Sequence, residues 1–451
     1  MSENPMPEEE APRPPDSADN YKTLDLALRV GEILLASGAG AADVAAQMSN
    51  VAYACGLRRA TGDVTFTEIA MTYQSTPDEP AMVQIRHVRH REIDYGDLTL
   101  VDHLVRDLIE GRIDRDEARA RIARITSTGH AMPRWARTLG WGVMGGGVGV
   151  MLGGSPLLVA VAAIAAMGVD LIQRRLSRAR LPTFYQQVAG GLFATLLATG
   201  LAALNTDLVP SRVVTACIIQ LLAGVSFMGA IQDALTGYPL TAGARILEAI
   251  LATAGIIAGV SGGLTVADMA GVSLGRLNPG ASALSDIPGL VIGGAITAGA
   301  FAFSSYSPIR SVLPIGAIGG LAMGVSGLLS ERGFGAAWSS AAAALVIGLL
   351  AYGAAARVRV PALTVVIPAI VPMLPGLAIY RGLSLIAETD GSARGIVSLM
   401  NAVAIAISLS AGAILGEYIA QPVGREARRL ERRLAGPRMV GPANARTRKR
   451  S

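Results

Sequence analysis

Residues 365–382, VVIPAIVPMLPGLAIYRG, place three prolines inside an apolar stretch. Pro368, Pro372 and Pro375 fall within eight positions. Each proline removes a main-chain donor and clashes with the carbonyl four residues earlier. In a bilayer, an unpaired carbonyl is tolerated only where it is buried in protein or lines a wet cavity. The stretch therefore predicts a helix that is broken near Pro372–Pro375, at membrane depth.

The composition separates the chain into two regions. The 451 residues are 51% hydrophobic and only 16% charged, whereas soluble domains carry about 25% charged residues. Residues 1–137 hold most of the acids, and residues 138–420 hold long runs with almost no charge. The 53 glycines fit close helix packing in lipid. We expect a polar N-terminal region followed by a membrane region.

The polar region divides into a leader and a folded domain. Residues 1–20 are acidic and Pro-rich, lack the features of a signal peptide, and predict a disordered leader. Residues 21–131 predict a small α+β cytosolic domain of order ααββαα, with helices that stop at Gly38, Gly56 and Gly111. Its hairpin is predicted from the alternating stretches DVTFTEIAMTYQ and AMVQIRHVRH.

The membrane region predicts ten spans, because a bilayer core needs about 20 apolar residues per helix. They fall into halves at residues 138–263 and 286–419. The spans are residues 138–153, 156–173, 184–204, 211–231, 241–263, 286–304, 309–329, 336–356, 361–386 and 396–419.

The loop arginines predict the orientation. If residues 1–137 are cytoplasmic, the inside loops hold far more arginines than the outside loops, which favours both termini inside the plasma membrane. The basic tail at residues 421–451 agrees with this bias. No aromatic residues interleave its arginines, so we expect no nucleic-acid partner.

Ten spans with five in each half predict two inverted repeats. The fourth and fifth spans should then match the ninth and tenth. In the alignment, Gly229 faces Gly376 and TAGARILEA faces GSARGIVSLMNA, which predicts a second break near Met228–Asp233. Chance similarity between Gly/Ala-rich helices is the alternative.

Interrupted helices in matching positions indicate a transporter binding site. The prolines should free the carbonyls of Thr364, Pro368 and Val371 for a substrate ammonium. A half-helix that begins at Gly376 would present its positive end to a carboxylate. An amino acid carries both groups, although a simple packing kink would also account for the prolines.

Ionisable residues inside the spans are candidates for function, because burying them is costly. Arg245 and Glu248 share a helix face, where a structural ion pair is the alternative. Glu248 and Asp233 are the best placed for proton coupling. The candidates are Asp170, Asp233, Arg245, Glu248, Arg381 and Glu417.

Four stretches together resemble the bacterial threonine/serine exporter family, over about residues 21–421. They are EILLASGAGAADVAAQMSNVAYACGL, RWARTLGWGVMGGGVGVMLGG, MGAIQDALTGYPLTAGARILEA and VPALTVVIPAIVPMLPGLAIYRGL. The resemblance implies export of threonine and serine driven by the proton motive force. It also implies that Asp233 and Glu248 match acidic residues of the family.

The sequence therefore predicts an α-helical polytopic membrane protein, with about ten transmembrane helices as two inverted five-helix repeats. Its partners would be a small amino acid, protons and the lipid bilayer, and homo-oligomerisation is left open. The pathway candidates are Gly229, Asp233, Arg245, Glu248, Thr364, Pro368, Pro372, Pro375, Gly376, Arg381 and Asn401.

Three alternatives remain open: an exporter of a dicarboxylate such as succinate, a channel or scaffold, and a membrane-anchored hydrolase that acts through the N-terminal domain. His87 and His90 would lie on opposite faces of a strand and suit no metal. Cys55 and Cys217 imply neither a disulfide nor a metal site. We expect no cofactor and no enzymatic activity.

Overall fold

The computed structural model describes residues 17–88, 91–129, 132–204, 209–272, 286–386 and 392–427. Most of the predicted leader, His90, His130 and the tail from residue 428 lie outside these residues.

The N-terminal domain surrounds a three-stranded antiparallel sheet of order β1-β2-β3 with four helices. Met48, Ile69 and Met71 are fully buried in its core. Its elements are α1 (Ser17–Ala36), α2 (Ala41–Ala54), β1 (Thr61–Val64), β2 (Glu68–Tyr73), β3 (Met82–His87), α3 (Tyr95–Ile109) and α4 (Arg115–Thr128).

Local signals explain the helix ends. Gly38, Gly56 and Gly111 have positive φ just past α1, α2 and α3, as glycines that stop helices commonly do. Asp94 and Asp114 cap α3 and α4 with their carboxylates.

Two expectations for this domain were wrong in detail. The stretch DVTFTEIAMTYQ forms parts of two strands, β1 and β2, because the chain turns at residues 65–67. The order is therefore ααβββαα, although β2 and β3 do pair as the predicted hairpin. The predicted leader also ends early, because α1 begins at Ser17.

Twelve helices follow among the described residues. They are α5 (Arg134–Met151), α6 (Pro156–Arg178), α7 (Thr183–Ala203), α8 (Pro210–Ile218), α9 (Gly224–Leu235), α10 (Pro239–Met269), α11 (Ile287–Ser304), α12 (Ile309–Glu331), α13 (Ala336–Val358), α14 (Leu363–Ile370), α15 (Gly376–Ile386) and α16 (Ser392–Ala427).

Seven of the described helices, α6, α7, α10, α11, α12, α13 and α16, are long and apolar enough to span a membrane. Two bent pairs, α8 with α9 and α14 with α15, raise the number to nine if each pair is one span. The chain is thus a polytopic helical membrane protein. Helix α5, at the first of the ten predicted spans, is not among these nine and begins with Arg134 and Arg137.

The helix spacing recurs along the chain. Helix α5 begins at residue 134 and α11 at residue 287, which is 153 residues later. The starts of α6, α7, α8 and α10 precede those of α12, α13, α14 and α16 by the same interval. Residues with positive φ recur as well, at Gly153 and Tyr306 and at Arg180 and Gly333. The same helix pair also packs together in each half: α7 packs against α10, and their counterparts α13 and α16 pack against each other.

Glycines at matching positions allow this close packing. A Cβ atom on Gly259 of α10 would overlap the carbonyl of Val188, and a Cβ atom on Gly412 of α16 would overlap the carbonyl of Ala341. Both members of the second contact lie 153 residues after those of the first. The same small-residue contact is therefore used twice.

We expect Gly259→Ala and Gly412→Ala each to lower the thermal unfolding temperature of the purified protein. The added methyl group must push two backbones apart, which costs about 1–3 kcal/mol. Gly262→Ala is the matched control, because a Cβ atom there meets nothing within 4 Å and alanine favours a helix. Equal melting temperatures for all three variants would contradict the claim that Gly259 and Gly412 are needed for the close approach of these helices.

Candidate functional site

Two bent helix pairs lie at the centre of the described membrane region. Helix α8 continues through a 3-10 turn at Ile219–Leu221 and then bends by 47° into α9. Helix α14 continues through a 3-10 turn at Val371–Met373 and bends by 48° into α15. The break predicted from the prolines is present, at Leu374 and Pro375.

The two breaks hold each other through a reciprocal leucine–glycine contact. A Cβ atom on Gly376 would lie 2.7 Å from the Cβ of Leu222, and a Cβ atom on Gly224 would lie 2.9 Å from the Cβ of Leu374. Both distances are too short for a real side chain, so only glycine fits at either position. The reciprocal contact therefore depends on Leu222, Gly224, Leu374 and Gly376.

This geometry corrects the predicted repeat register. Gly376 faces Gly224 rather than Gly229, and the first break lies at Leu222 and Ala223 rather than near Met228–Asp233. Residues 224–235 form one helix, because nothing in that segment interrupts the main-chain hydrogen bonds.

The prolines affect the second break less than expected. Ala223 stands in the first break where Pro375 stands in the second, so a bend of the same size forms without proline. The carbonyl of Pro368 accepts a hydrogen bond from the Val371 amide. The carbonyl of Val371 accepts one from the Leu374 amide. Two of the three carbonyls that should be free therefore already have main-chain partners.

Helices α9 and α15 both begin at the breaks. A Cβ atom on Gly224 would lie 3.6 Å from the amide nitrogen of Gly376, so the first residues of the two helices are neighbours. The N-terminus of a helix carries unsatisfied amides and a partial positive charge. Two such ends in one place can receive an anionic group such as a carboxylate.

Asp233 and Arg245 connect the membrane helices to the N-terminal domain. Asp233 is 1% exposed, and its Oδ1 accepts a hydrogen bond of 3.0 Å from the amide of Ala41, the first residue of α2. Its Oδ2 lies 3.2 Å from Nε of Arg245. Arg245 also donates to the carbonyl of Ala39 at 3.3 Å. We call this arrangement the interdomain ion pair.

The local sequence explains why Asp233 is needed there. Gly40 precedes α2 and has no side chain with which to cap the helix, so a carboxylate from another part of the chain caps it. Gly229 makes room for this arrangement, because a Cβ atom there would overlap the guanidinium of Arg245. Burial, together with the positive charge of Arg245, lowers the pKa of nearby Arg91 to about 10.

Other predicted residues lie apart from this ion pair. Glu248 is exposed, and the ion pair recorded for Arg245 is with Asp233, not with Glu248. Asn401 is also exposed and lies 153 residues after Glu248. The residues that follow them, Ala249 and Ala402, belong to one buried cluster. Glu248 and Asn401 therefore occupy corresponding positions on α10 and α16.

The remaining candidates lie along the second bent pair. Thr364 is fully buried at the start of α14, and its hydroxyl donates to the carbonyl of Pro361 at 2.8 Å. Arg381 is half-buried on α15. No contact recorded in the described part of the chain joins either residue to Asp233 or Glu248.

Sequence reasoning missed a polar group beside the first break. Asp170 of α6 pairs with Arg174 and accepts a hydrogen bond of 2.8 Å from the Thr138 hydroxyl. A cavity of about 70 Å³ adjoins this group. Its lining residues are Arg137, Trp141, Asp170, Gln173 and Gln220. Of these residues, only Asp170 is a candidate from the sequence, because it is an ionisable residue inside a predicted span. The other lining residues are either uncharged or lie at the start of a span.

Comparison with known proteins decides the family. A family model described as "Putative threonine/serine exporter" matches residues 25–267. A second, described as "Threonine/Serine exporter, ThrE", matches residues 290–419. The chain belongs to the threonine/serine exporter family. No solved structure matches it.

Two curated members of the exporter family are similar over most of the chain. A "Probable threonine/serine exporter" of Mycobacterium tuberculosis is 36% identical over 415 residues, which cover 90% of this chain and 78% of the relative. A "Threonine/serine exporter" of Corynebacterium glutamicum is 33% identical over 411 residues, which cover 90% of this chain and 84% of the relative.

The N-terminal domain of this exporter-family chain offers little support for catalysis. Burial raises the pKa of the Cys55 thiol, which disfavours a thiolate nucleophile. His87 is exposed and pairs with Glu68. Among the described residues, no group of histidines, cysteines and acids could hold a metal ion. The domain has a cavity of about 460 Å³, but two of its charged lining residues, Arg86 and Glu32, pair with each other.

We expect Asp233→Asn to loosen the N-terminal domain from the membrane helices. The change leaves Arg245 buried without its counter-charge, and breaking such a pair costs about 3–5 kcal/mol. Hydrogen exchange followed by mass spectrometry should accelerate at least about tenfold in residues 39–44. Asp268→Asn, at the far end of α10, is the control. Unchanged protection in Asp233→Asn would contradict the role of the ion pair.

Proposed function

We propose that this chain is a secondary transporter that exports threonine, serine or similarly small amino acids across the plasma membrane. The names of two relatives and both family matches support the substrate class. One geometric observation carries the transport role: two broken spans face each other, with the starts of α9 and α15 adjacent. Broken helices in matching halves are typical of transporter binding sites.

The pathway we propose passes between the two bent pairs. The α-carboxylate of the substrate would bind the paired N-termini at Gly224 and Gly376, where the first amides of each helix lack partners within the helix and the helix dipoles favour an anion. Thr364, Pro368 and Pro372 would shape the second pair, and Arg381 would lie along its far half. A zwitterion suits such a site better than a neutral solute, because only its anionic group gains from both helix ends.

We propose ten spans, with α5 as the first span and each bent pair as one. Four contacts of the N-terminal domain support this number. Glu92 pairs with Arg137, Ala41 donates to Asp233, Tyr95 donates to the Ser305 carbonyl, and His103 contacts the Arg359 carbonyl. If ten spans alternate in direction, all four contacts fall on one side of the bundle, which we call the N-terminal side.

The two halves would then be inverted with respect to each other. Five spans per half reverse the direction of the second half, and the interval of 153 residues gives each span a counterpart. The arginine-rich turns after α6 and α13 fall on the N-terminal side, which supports a cytosolic location for it and for both termini. The domains we propose are residues 21–131, 138–263 and 286–419.

Proton coupling is assigned to Glu248. It is a carboxylate inside α10, close to the interdomain ion pair and without an ion pair of its own among the described residues. Its counterpart, Asn401, cannot titrate. Asp233 is less suited to this role, because it already caps α2 and pairs with Arg245. The N-terminal domain, in this proposal, covers the cytosolic mouth and performs no catalysis.

Counterflow in proteoliposomes tests the proposed function. Protein in liposomes loaded with unlabelled threonine should accumulate labelled threonine with saturable kinetics, and serine should compete. Alanine, succinate and malate complete the panel. A response to dicarboxylates alone would contradict the amino-acid proposal, and flux that does not saturate would indicate a channel.

We expect Glu248→Gln to abolish the stimulation of threonine transport by a pH gradient, because glutamine cannot bind and release a proton. Inverted membrane vesicles with an acidic interior should accumulate threonine through the unmodified protein, and the variant should lose this stimulation but keep counterflow. Asp268→Asn, on the same helix, is the matched control. Full stimulation in Glu248→Gln would remove Glu248 from proton coupling.

A further inference from the structure

The cavity beside the first break is polar on nearly every side. It lies between α5, α6 and the 3-10 turn before Leu222, and its volume is about 70 Å³. One water molecule needs about 10–15 Å³ of such space, so the cavity has room for several waters or for the polar part of a small solute. Its lining combines a cation, a carboxylate, two amides and an indole ring.

Two lining residues hold polar atoms without partners. Gln220 donates its Nε2 to the carbonyl of Ala166 at 2.9 Å, but its Oε1 is buried and has no hydrogen-bond partner among the described residues. Nε of Arg137 is also buried without a hydrogen-bond partner among the described residues, although Nη1 of the same guanidinium pairs with Glu92 and donates to the Tyr306 hydroxyl. Buried polar groups are nearly always paired, so one donor and one acceptor are available to a ligand.

The carboxylate of Asp170 adds a second acceptor. Thr138 and Arg174 both bind its Oδ2, and no hydrogen bond to its Oδ1 is recorded in the described part of the chain. The cavity therefore offers a cationic donor at Arg137 and two acceptors, Oε1 of Gln220 and Oδ1 of Asp170.

The corresponding position in the second half is filled with apolar side chains. Leu290 and Met323 lie 153 residues after Arg137 and Asp170. They belong to one buried cluster, against which Met373 of the second 3-10 turn packs. Gly294, the counterpart of Trp141, lets Met323 approach, since a Cβ atom there would lie 2.5 Å from its Cγ.

The fold therefore does not require polar residues at this place. The second half forms the same helices with hydrocarbon and thioether side chains, whereas the first half keeps half-buried charges and a buried amide oxygen without a partner among the described residues. Ionisable groups inside a membrane protein are costly and are usually retained for function. The difference between the halves indicates that the polar cavity serves a ligand rather than packing.

We propose that this cavity is a loading site for a zwitterionic α-amino acid on the N-terminal side of the transporter. Arg137 would bind the carboxylate, Gln220 and Asp170 would bind the ammonium group, and Trp141 would cover the side chain. The inference rests on the proposed function, from which it takes the substrate class. From this site, the substrate has only the length of the 3-10 turn to travel to the paired starts of α9 and α15.

Binding of L-threonine to the purified full-length protein tests the site. We expect Gln220→Leu to raise the Kd about tenfold, because the variant loses a buried hydrogen bond to the ligand. Gln187→Leu is the matched control: its Oε1 is also buried without a partner, but it lies on α7, outside the cavity lining. If Gln220→Leu does not fold, Asp170→Asn tests the other proposed contact with the ammonium group and should also raise the Kd.

Tryptophan fluorescence gives a second, local readout. Threonine should change the emission of the unmodified protein and of Trp338→Phe, because Trp338 is exposed on α13, whereas Trp141→Phe should lose the change. If the protein transports threonine but Gln220→Leu binds it as tightly as the unmodified protein, the loading site is wrong and the proposed function stands. If the unmodified protein neither binds nor transports threonine or serine, both are wrong.

Discussion

The reciprocal contact of Leu222 with Gly376 and of Leu374 with Gly224 is the constraint on which the membrane region depends. A side chain at either glycine would overlap the opposite leucine, so the two bent pairs can meet only with their breaks aligned. That alignment places the starts of α9 and α15 side by side. Helix α9 begins at this contact, and Asp233 near its other end accepts the hydrogen bond from the start of α2.

The two halves have the same spacing of helices but different side chains at corresponding positions. Helices begin at intervals of 153 residues, yet Arg137, Asp170 and Arg245 correspond to Leu290, Met323 and Ser398. Charge is therefore concentrated where the N-terminal domain meets the helices, while the corresponding end of the second half is packed with apolar residues. In the proposed transporter, this difference in side chains would make the two ends chemically unlike without any difference in the helices themselves.

The sequence predicted what local chemistry controls and missed what distant contacts control. Prolines and helix-ending glycines act on neighbouring residues, so the second break and the ends of α1 to α3 could be predicted. The register of the repeat could not, because Gly/Ala-rich helices align almost equally well when shifted, and the predicted alignment pairs Gly376 with Gly229, whereas the structure places it against Gly224. The partner of Asp233 is the amide of Ala41, 192 positions away, and no spacing rule identifies it. Gln220 carries no charge, so only its contrast with the apolar 3-10 turn Val371–Met373 in the second half could have drawn attention to it.

Disulfide trapping at the breaks tests the account most directly. In a chain without Cys55 and Cys217, cysteines replacing Leu222 and Gly376 would have Cβ atoms 2.7 Å apart before relaxation. This is shorter than the ~3.5–4.5 Å found in a disulfide, so the two breaks must separate slightly before the bond can form. We expect an oxidant to join the two cysteines and to stop threonine counterflow. A reductant should break the disulfide and restore counterflow. Failure to cross-link would contradict the contact between the two breaks, and a cross-linked protein that transports at the unmodified rate would contradict the proposal that the pathway passes between the two bent pairs.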